Sequence, residues 1–253
     1  MSTPIPTIAI SGDVARRFLL GRQGLWPGRR RSGKAGTLAA VRQLGSVQMD
    51  PLTIVARSHD LVLWSRVADY RPEMIRHHLY TDRSLFDYGG VLRIQPIEEL
   101  PHWRLHMERR REDAKYYAPL LRDHLELFDA VRAAVEREGP LSARAISKLV
   151  EVSAAPGRTT AKTGTGSYRS QSVVNKMAYQ LWMTGELMTH HREGFDRHFD
   201  LAERVAPAAL LTASDEATAR DFFARKIIAQ AGLITAGSWR STLGSHLQRK
   251  VDR

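Results

Sequence analysis

Between Tyr117 and Leu201 the hydrophobic period changes in a fixed order, and that order constrains the fold more than any other feature of the chain. Leu120, Leu121, Leu125, Phe128, Val131 and Val135 recur at helical spacing, which predicts one long amphipathic helix over 117–137. Gly139 and Pro140 break it, and Ser142 is placed to cap a second helix through Ile146 and Leu149. A stretch rich in Gly, Thr, Ser and Lys follows over 154–167 and is too low in complexity to hold one rigid shape. A third helix is expected over 170–184, with Val174, Met177, Leu181 and Trp182 on one face. Gly185 ends it, and the period drops to two: strands over 187–191 and 195–201 flank a turn containing Gly194. Three helices followed by a two-stranded wing is the winged helix-turn-helix order, whose third helix normally enters the major groove of DNA. A small helical domain with a structural hairpin is the blander alternative.

The flanking segments extend the pattern. Ser11 is a good N-cap for a helix through Arg16, Phe18 and Leu19 that ends near Gly21. A basic, glycine-rich loop over 23–36 carries Arg29, Arg30, Arg31 and Lys34. A helix over 37–44 stops at Gly45, and 46–50 reads as extended. Asp50 and Pro51 are expected to open a longer helix reaching about Val67, because Asp caps free N–H groups and Pro tolerates the first helical position. After a short helix over 71–79, the run 85–95 reads as strand, Gly89-Gly90 turn and strand, a first wing. From Ser214 a capped helix runs through Ala217, Phe222, Phe223 and Ile227, and another starts near Trp239. The expected fold is mainly α with small β-hairpins, in tandem winged helix-turn-helix units. The first spans 1–105, the second 106–207, and 208–253 begins a third that the chain does not complete.

Composition narrows the function classes. Lys and Arg number 38 against 27 Asp and Glu, for a formal net charge of +11, which points to an acidic polymer or an anionic surface as partner. With no cysteine, disulfides, thiolate zinc sites and cysteine nucleophiles are excluded. No stretch approaches the roughly 18 apolar residues of a membrane span, and Met1 to Ile10 lacks the charged and apolar regions of a secretory signal. A soluble, cytoplasmic and nucleoid-associated protein is expected, with no membrane partner.

Leu44-Gly-Ser-Val-Gln-Met-Asp-Pro, Val55-Ala-Arg-Ser-His59 and Leu63-Trp-Ser-Arg-Val-Ala-Asp-Tyr70 carry a resemblance. They look like the winged-helix DNA glycosylases of the YcaQ and AlkZ type, which unhook interstrand crosslinks and excise bulky N-alkylpurines. The activity motif of that family is Gln-x-Asp in one branch and Gln-x-Gln in the other. Gln48-Met49-Asp50 fits the first, the YcaQ-like branch. Tyr80, Asp82, Arg83, Leu85, Phe86 and Tyr88 follow the pattern, as do Gly185-Glu-Leu187, Arg192-Glu-Gly-Phe195 and Phe199-Asp-Leu-Ala-Glu-Arg204. The likeness spans about residues 8 to 235. It departs at Gly89-Gly90, where bulkier residues are expected, and at the end of the chain, before a third unit is complete.

What the resemblance implies is a monofunctional DNA glycosylase acting on double-stranded DNA that carries alkylated or crosslinked purines, with a monomer the default for a search for asymmetric damage. An N7-alkylated purine is cationic and already a good leaving group. Catalysis then needs a stabilised oxocarbenium-like sugar and a water on its open face, as in inverting glycoside hydrolysis. Residues two apart in an extended segment share a face. Asp50 would act as base or electrostatic stabiliser and Gln48 would position water or sugar. No cofactor or metal is required, and no lysine stands in a motif for a Schiff base. Read locally, Asp50 is an ordinary N-cap and Gln48 an ordinary strand residue. A crosslinked base, tied to the other strand, cannot rotate into a deep pocket, so such an enzyme presents its residues from outside the duplex.

Arg169, Lys176, Arg192 and Arg197, on or near the third helix and its wing, are candidate phosphate contacts, though each singly is more often a solvated charge. The 29–34 loop either tracks the DNA backbone or lacks fixed shape. His59 has a choice between proton shuttle, DNA contact and buried hydrogen-bonded histidine, the last favoured. His190 and His191 are neighbours on a strand and so make a poor chelate. Trp64 and Trp182 read as core anchors. Rival readings are a winged-helix transcriptional regulator without enzymatic activity and a truncated, inactive relative that binds DNA.

Overall fold

The computed structural model describes residues 7–112, 117–153 and 173–247. Its helices are α1 (Gly12–Arg22), α2 (Gly33–Leu44), α3 (Ser58–Trp64), α4 (Pro72–Tyr80), α5 (Leu100–Arg111), α6 (Tyr117–Asp123), α7 (Leu125–Glu138), α8 (Ala143–Ser153), α9 (Val173–Met183), α10 (Ala202–Val205), α11 (Glu216–Ala231) and α12 (Ala236–Leu247). Its strands are β1 (Val47–Gln48), β2 (Leu85–Tyr88), β3 (Arg93–Pro96), β4 (Leu141–Ser142), β5 (Leu187–Glu193) and β6 (Asp196–Leu201). They form two antiparallel three-stranded sheets of the same internal order, β1-β3-β2 and β4-β6-β5. One arrangement is thus written twice: a helix, a short strand, two helices and a hairpin, first from α2 to β3 and then from α7 to β6. The expected 154–167 stretch lies outside the described residues.

Each half has its own apolar centre. Val41, Val47, Met49, Leu63, Ile75, Leu85 and Ile94 make the first. A larger one joins Phe128, Val131, Ile146, Met177, Trp182 and Leu187 to Trp103 and Met107 of α5 and to Phe223 and Leu243 of α11 and α12. The expected boundary at 105/106 therefore falls inside α5, whose side chains belong to the second core. The helices after 208 pack on that core too. Each such side chain, fully buried, contributes about 1.5–3 kcal/mol through area removed from water.

Local reading succeeds where one residue decides. Ser11 accepts the Val14 N–H at 3.3 Å and starts α1. Asp215 rather than Ser214 caps α11, accepting from Thr218 N at 2.9 Å. The expected 117–137 helix is instead two, because His124 leaves the helical region at φ −147° and ψ 37°, and its carbonyl starts a second helix by accepting from Leu127 and Phe128. The apolar spacing runs unbroken across the step, so periodicity cannot register it. The largest correction follows Asp50. No helix begins there; the side chain folds back and its Oδ1 accepts the Leu52 N–H at 2.8 Å. Such local side-chain bonding competes with helix formation, and α3 starts only at Ser58.

Buried polar ties join the halves. Arg192 of β5 donates through Nη2 and Nε to Asp87 of β2 at 2.6 and 2.9 Å. Tyr88 donates its hydroxyl to the Met183 carbonyl at 2.8 Å, and Arg83 reaches the His190 carbonyl at 2.7 Å.

Candidate functional site

The Gln48–Asp50 segment is held on every side. Behind it, Gly45 turns the chain at φ +71°, and its carbonyl accepts from Lys226 Nζ of α11 at 2.7 Å. Lys226 is buried and ion-paired with buried Glu99. Burial pulls the Lys226 ammonium below its ordinary range and raises the Glu99 carboxyl, while mutual attraction opposes both. Ahead of the segment, Ser58 Oγ donates to the Gln48 carbonyl at 3.4 Å, and beside it Met49 N donates to Leu92 O at 2.9 Å.

Extended backbone then sorts the side chains. Val47 and Met49 are buried in the first core and Gln48 is exposed; Asp50, just past the end of β1, is half-buried with its Oδ1 on the Leu52 N–H. Arg93 is the register partner of Gln48 on β3, and cross-strand partners share a face. It is exposed, and its Nη1 donates to Ser46 Oγ at 3.3 Å. An amide and a guanidinium thus share one open surface, able to bind an anion and orient a water, with the Asp50 carboxylate two residues along the chain.

On the core side of the same strand lies a cleft of about 330 Å³ lined by Met49, Arg57, His59, Asp60, Tyr80 and Arg192. His59 is buried as expected, but the favoured hydrogen bond is not made. Its Nδ1 has no partner among the described residues, and its Nε2 stands 3.8 Å from Asp60. Burial keeps its imidazole below the ordinary range; Arg57 and Arg192 add to this and Asp60 opposes it. Asp60 itself accepts the Tyr70 hydroxyl at 2.6 Å.

The expected phosphate contacts fare differently from one another. Arg169 lies outside the described residues, and Lys176 is half-buried on α9. Arg192 and Arg197 are turned inward: the Arg192 side chain is only 6% exposed against Asp87. Arg197 lies 3.8 Å above the Trp182 ring, and burial pushes its guanidinium down to about 10. The hairpin period gave their positions but not their direction, since buried carboxylate and indole faces arrive from elsewhere in the chain. The basic loop is also partly committed: Arg31 bonds Gln43, Lys34 pairs with Asp82 at 3.1 Å, and Arg29 sits 4.2 Å over Trp64. Trp64 is therefore not a core anchor; it is 55% exposed, whereas Trp182 is buried.

His191, Glu193 and His198 bring metal-capable atoms within 4.8 Å of one another. The two imidazoles lie stacked at 15° with centroids 4.4 Å apart, so their in-plane lone pairs run parallel rather than to a common point. Stacking, not chelation, is what this arrangement serves.

Sequence reading missed Arg93, Arg57, Ser58 and Lys226. Arg57 and Ser58 sit inside a quoted stretch, and Arg93 follows from pairing the hairpin with β1. Lys226, among Phe223 and Ile227 on a helix face, gives no local sign of its distant partner.

A family model described as DNA glycosylase AlkZ-like matches residues 41–251. Among solved structures, the Streptomyces sahachiroi DNA glycosylase AlkZ superposes with a TM-score of 0.60 at 14% identity, covering 94% of this chain. The match takes in 66% of that protein's length, and at this identity the likeness establishes the fold. No curated protein matches.

Proposed function

The chain belongs to the AlkZ-like DNA glycosylase family, and on that premise we propose that it hydrolyses the N-glycosidic bond of N-alkylated purines in duplex DNA. Interstrand crosslinks are the extreme case of the same substrate. The observation that supports this reading is the open face where Gln48 stands opposite Arg93, with Asp50 two residues on and Val47 and Met49 buried beneath. The repeated helix-strand-helix-helix-hairpin order supports two winged-helix units as the scaffold, with the net charge of +11 favouring the duplex.

The chemistry asks little of the protein. The C1′–N bond of a cationic N7-alkylpurine breaks with its electron pair passing to the ring, which leaves neutral. Asp50 stabilises the oxocarbenium-like sugar and takes a proton from the water that attacks C1′. Gln48 orients that water or the sugar through its amide. Arg93 holds a neighbouring phosphate, a contact that sets register without reading sequence. The protein works as a monomer, with no lyase step.

The test is to incubate the protein with duplex DNA containing N7-methylguanine, and separately with a nitrogen-mustard crosslink. Free base and alkali-labile abasic sites are expected from the first and strand separation from the second. Absence of product from both, with protection of one operator sequence in a footprint, would mean a regulator instead.

A further inference from the structure

Among the described residues, the six of Pro51–Ala56, directly after Asp50, carry the most exposed apolar cluster outside the N-terminal segment. Leu52 is 72% exposed, Ile54 96% and Val55 87%. Single exposed apolar residues need no explanation, but three in four positions, raised from the surface, do. Both ends of this loop are fastened. Asp50 Oδ1 grips the Leu52 N–H at 2.8 Å, and Ser58 Oγ reaches the Gln48 carbonyl at 3.4 Å, so the stem closes on itself. Arg57 is held 4.9 Å over the Phe195 ring. The base is fixed and the tip projects. On the other side of the strand the β2–β3 turn adds Val91, also exposed, next to the Leu92 carbonyl that holds Met49.

We infer that Leu52, Ile54 and Val55 form a wedge that enters the base stack beside the lesion and opens it for Asp50. The inference rests on the proposed glycosylase reading and names how that site gains access to its bond. The occupant is DNA rather than protein because of what surrounds the loop: exposed Arg93 beside Gln48 and Arg57 at the loop's end, in a chain of net charge +11. An exposed apolar tip on a strongly basic chain, with exposed Arg93 on the paired strand, matches a polyanion whose interior is apolar base faces. Aliphatic wedges between base steps partly unstack them and kink the duplex. Such local opening needs no rotation of the damaged base into a pocket, so it works on a base tied to both strands. The wedge residues touch neighbouring bases, not the reacting bond; their role is positioning.

The test uses the full chain and a duplex with 2-aminopurine beside N7-methylguanine, followed at single turnover. Wild type raises the fluorescence severalfold before base release. I54S/V55S loses that rise and releases base from paired duplex on the order of ten- to a hundredfold more slowly, matching an unstacking cost of a few kcal/mol per step. The same variant retains release within about threefold when the lesion sits in an unpaired bubble, and I54L behaves as wild type. Because these side chains face solvent, an unchanged Tm separates the effect from misfolding. Absence of a fluorescence rise with active wild type, or equal rates for I54S/V55S on paired duplex, overturns the wedge and leaves the glycosylase reading intact. A serine-sensitive rise with no base released from any substrate overturns the glycosylase reading and keeps the wedge. Concentration-dependent dimers that the serines dissolve, with the stack untouched, make the loop a self-association surface and overturn the wedge.

Discussion

Replacing Lys226 with methionine probes how the rest of the fold holds the candidate site. The substitution keeps the apolar stem but removes the charge facing Glu99 and the donor to the Gly45 carbonyl. Glu99 is then left buried without its counter-ion, and breaking a buried pair from one side costs about 3–5 kcal/mol. For a chain of this size each kcal/mol lowers Tm by about 2–4 °C, so K226M is expected to melt roughly 6–20 °C below wild type. The double variant K226M/E99M should recover most of that loss, because burial already disfavours both charges in the native protein. The pH dependence has a definite sign. An unpaired buried Glu99 has a folded-state pKa above its unfolded value, so the K226M penalty is small below about pH 4 and grows as pH rises. Calorimetry at pH 4.5 and 7.5 reads all three effects. A K226M melting point within 2 °C of wild type at pH 7.5, or a double variant as unstable as the single, would refute the reasoning.

Two further outcomes are expected. Trp64→Ala should cost under about 1 kcal/mol because the ring is largely solvated, while Trp182→Ala should cost about 3–5 kcal/mol; urea unfolding of both decides, and equal losses would contradict the assignment. Burial holds the His106 imidazole down to about 4, against about 6.5 in the unfolded chain. Its contribution is complete above about pH 6.5 and is lost as pH falls towards 4, amounting to about 3 kcal/mol; His106→Leu should flatten that part of the stability–pH curve.

The hairpins, their glycine turns and most helices were legible because a short-range rule fixes each: a two-residue period, a capping hydroxyl, a break at Gly139. The step at His124 was not, since the apolar face of α6 continues in phase into α7. Asp50 shows the limit most clearly. Asp-Pro before an apolar run satisfies the capping rule, yet Leu52, Ile54 and Val55 find no core to face and stay in solvent. A helix through them would have needed a partner surface that only the three-dimensional arrangement could supply. The inward turn of Arg192 and Arg197 was equally hidden, because Asp87 lies 105 residues from Arg192 in sequence. Gln48 and Asp50 were singled out by family likeness and extended-strand alternation together. Arg93 needed the sheet.

The decisive measurement is single-turnover release of N7-methylguanine from duplex DNA by wild type and by Asp50→Asn, alongside duplex affinity. With Asp50 as the acid–base group, release falls about 10²- to 10⁴-fold, the usual worth of a positioned acid–base group, while affinity changes less than about threefold. An Asp50→Asn protein that releases the base at the wild-type rate would contradict that role.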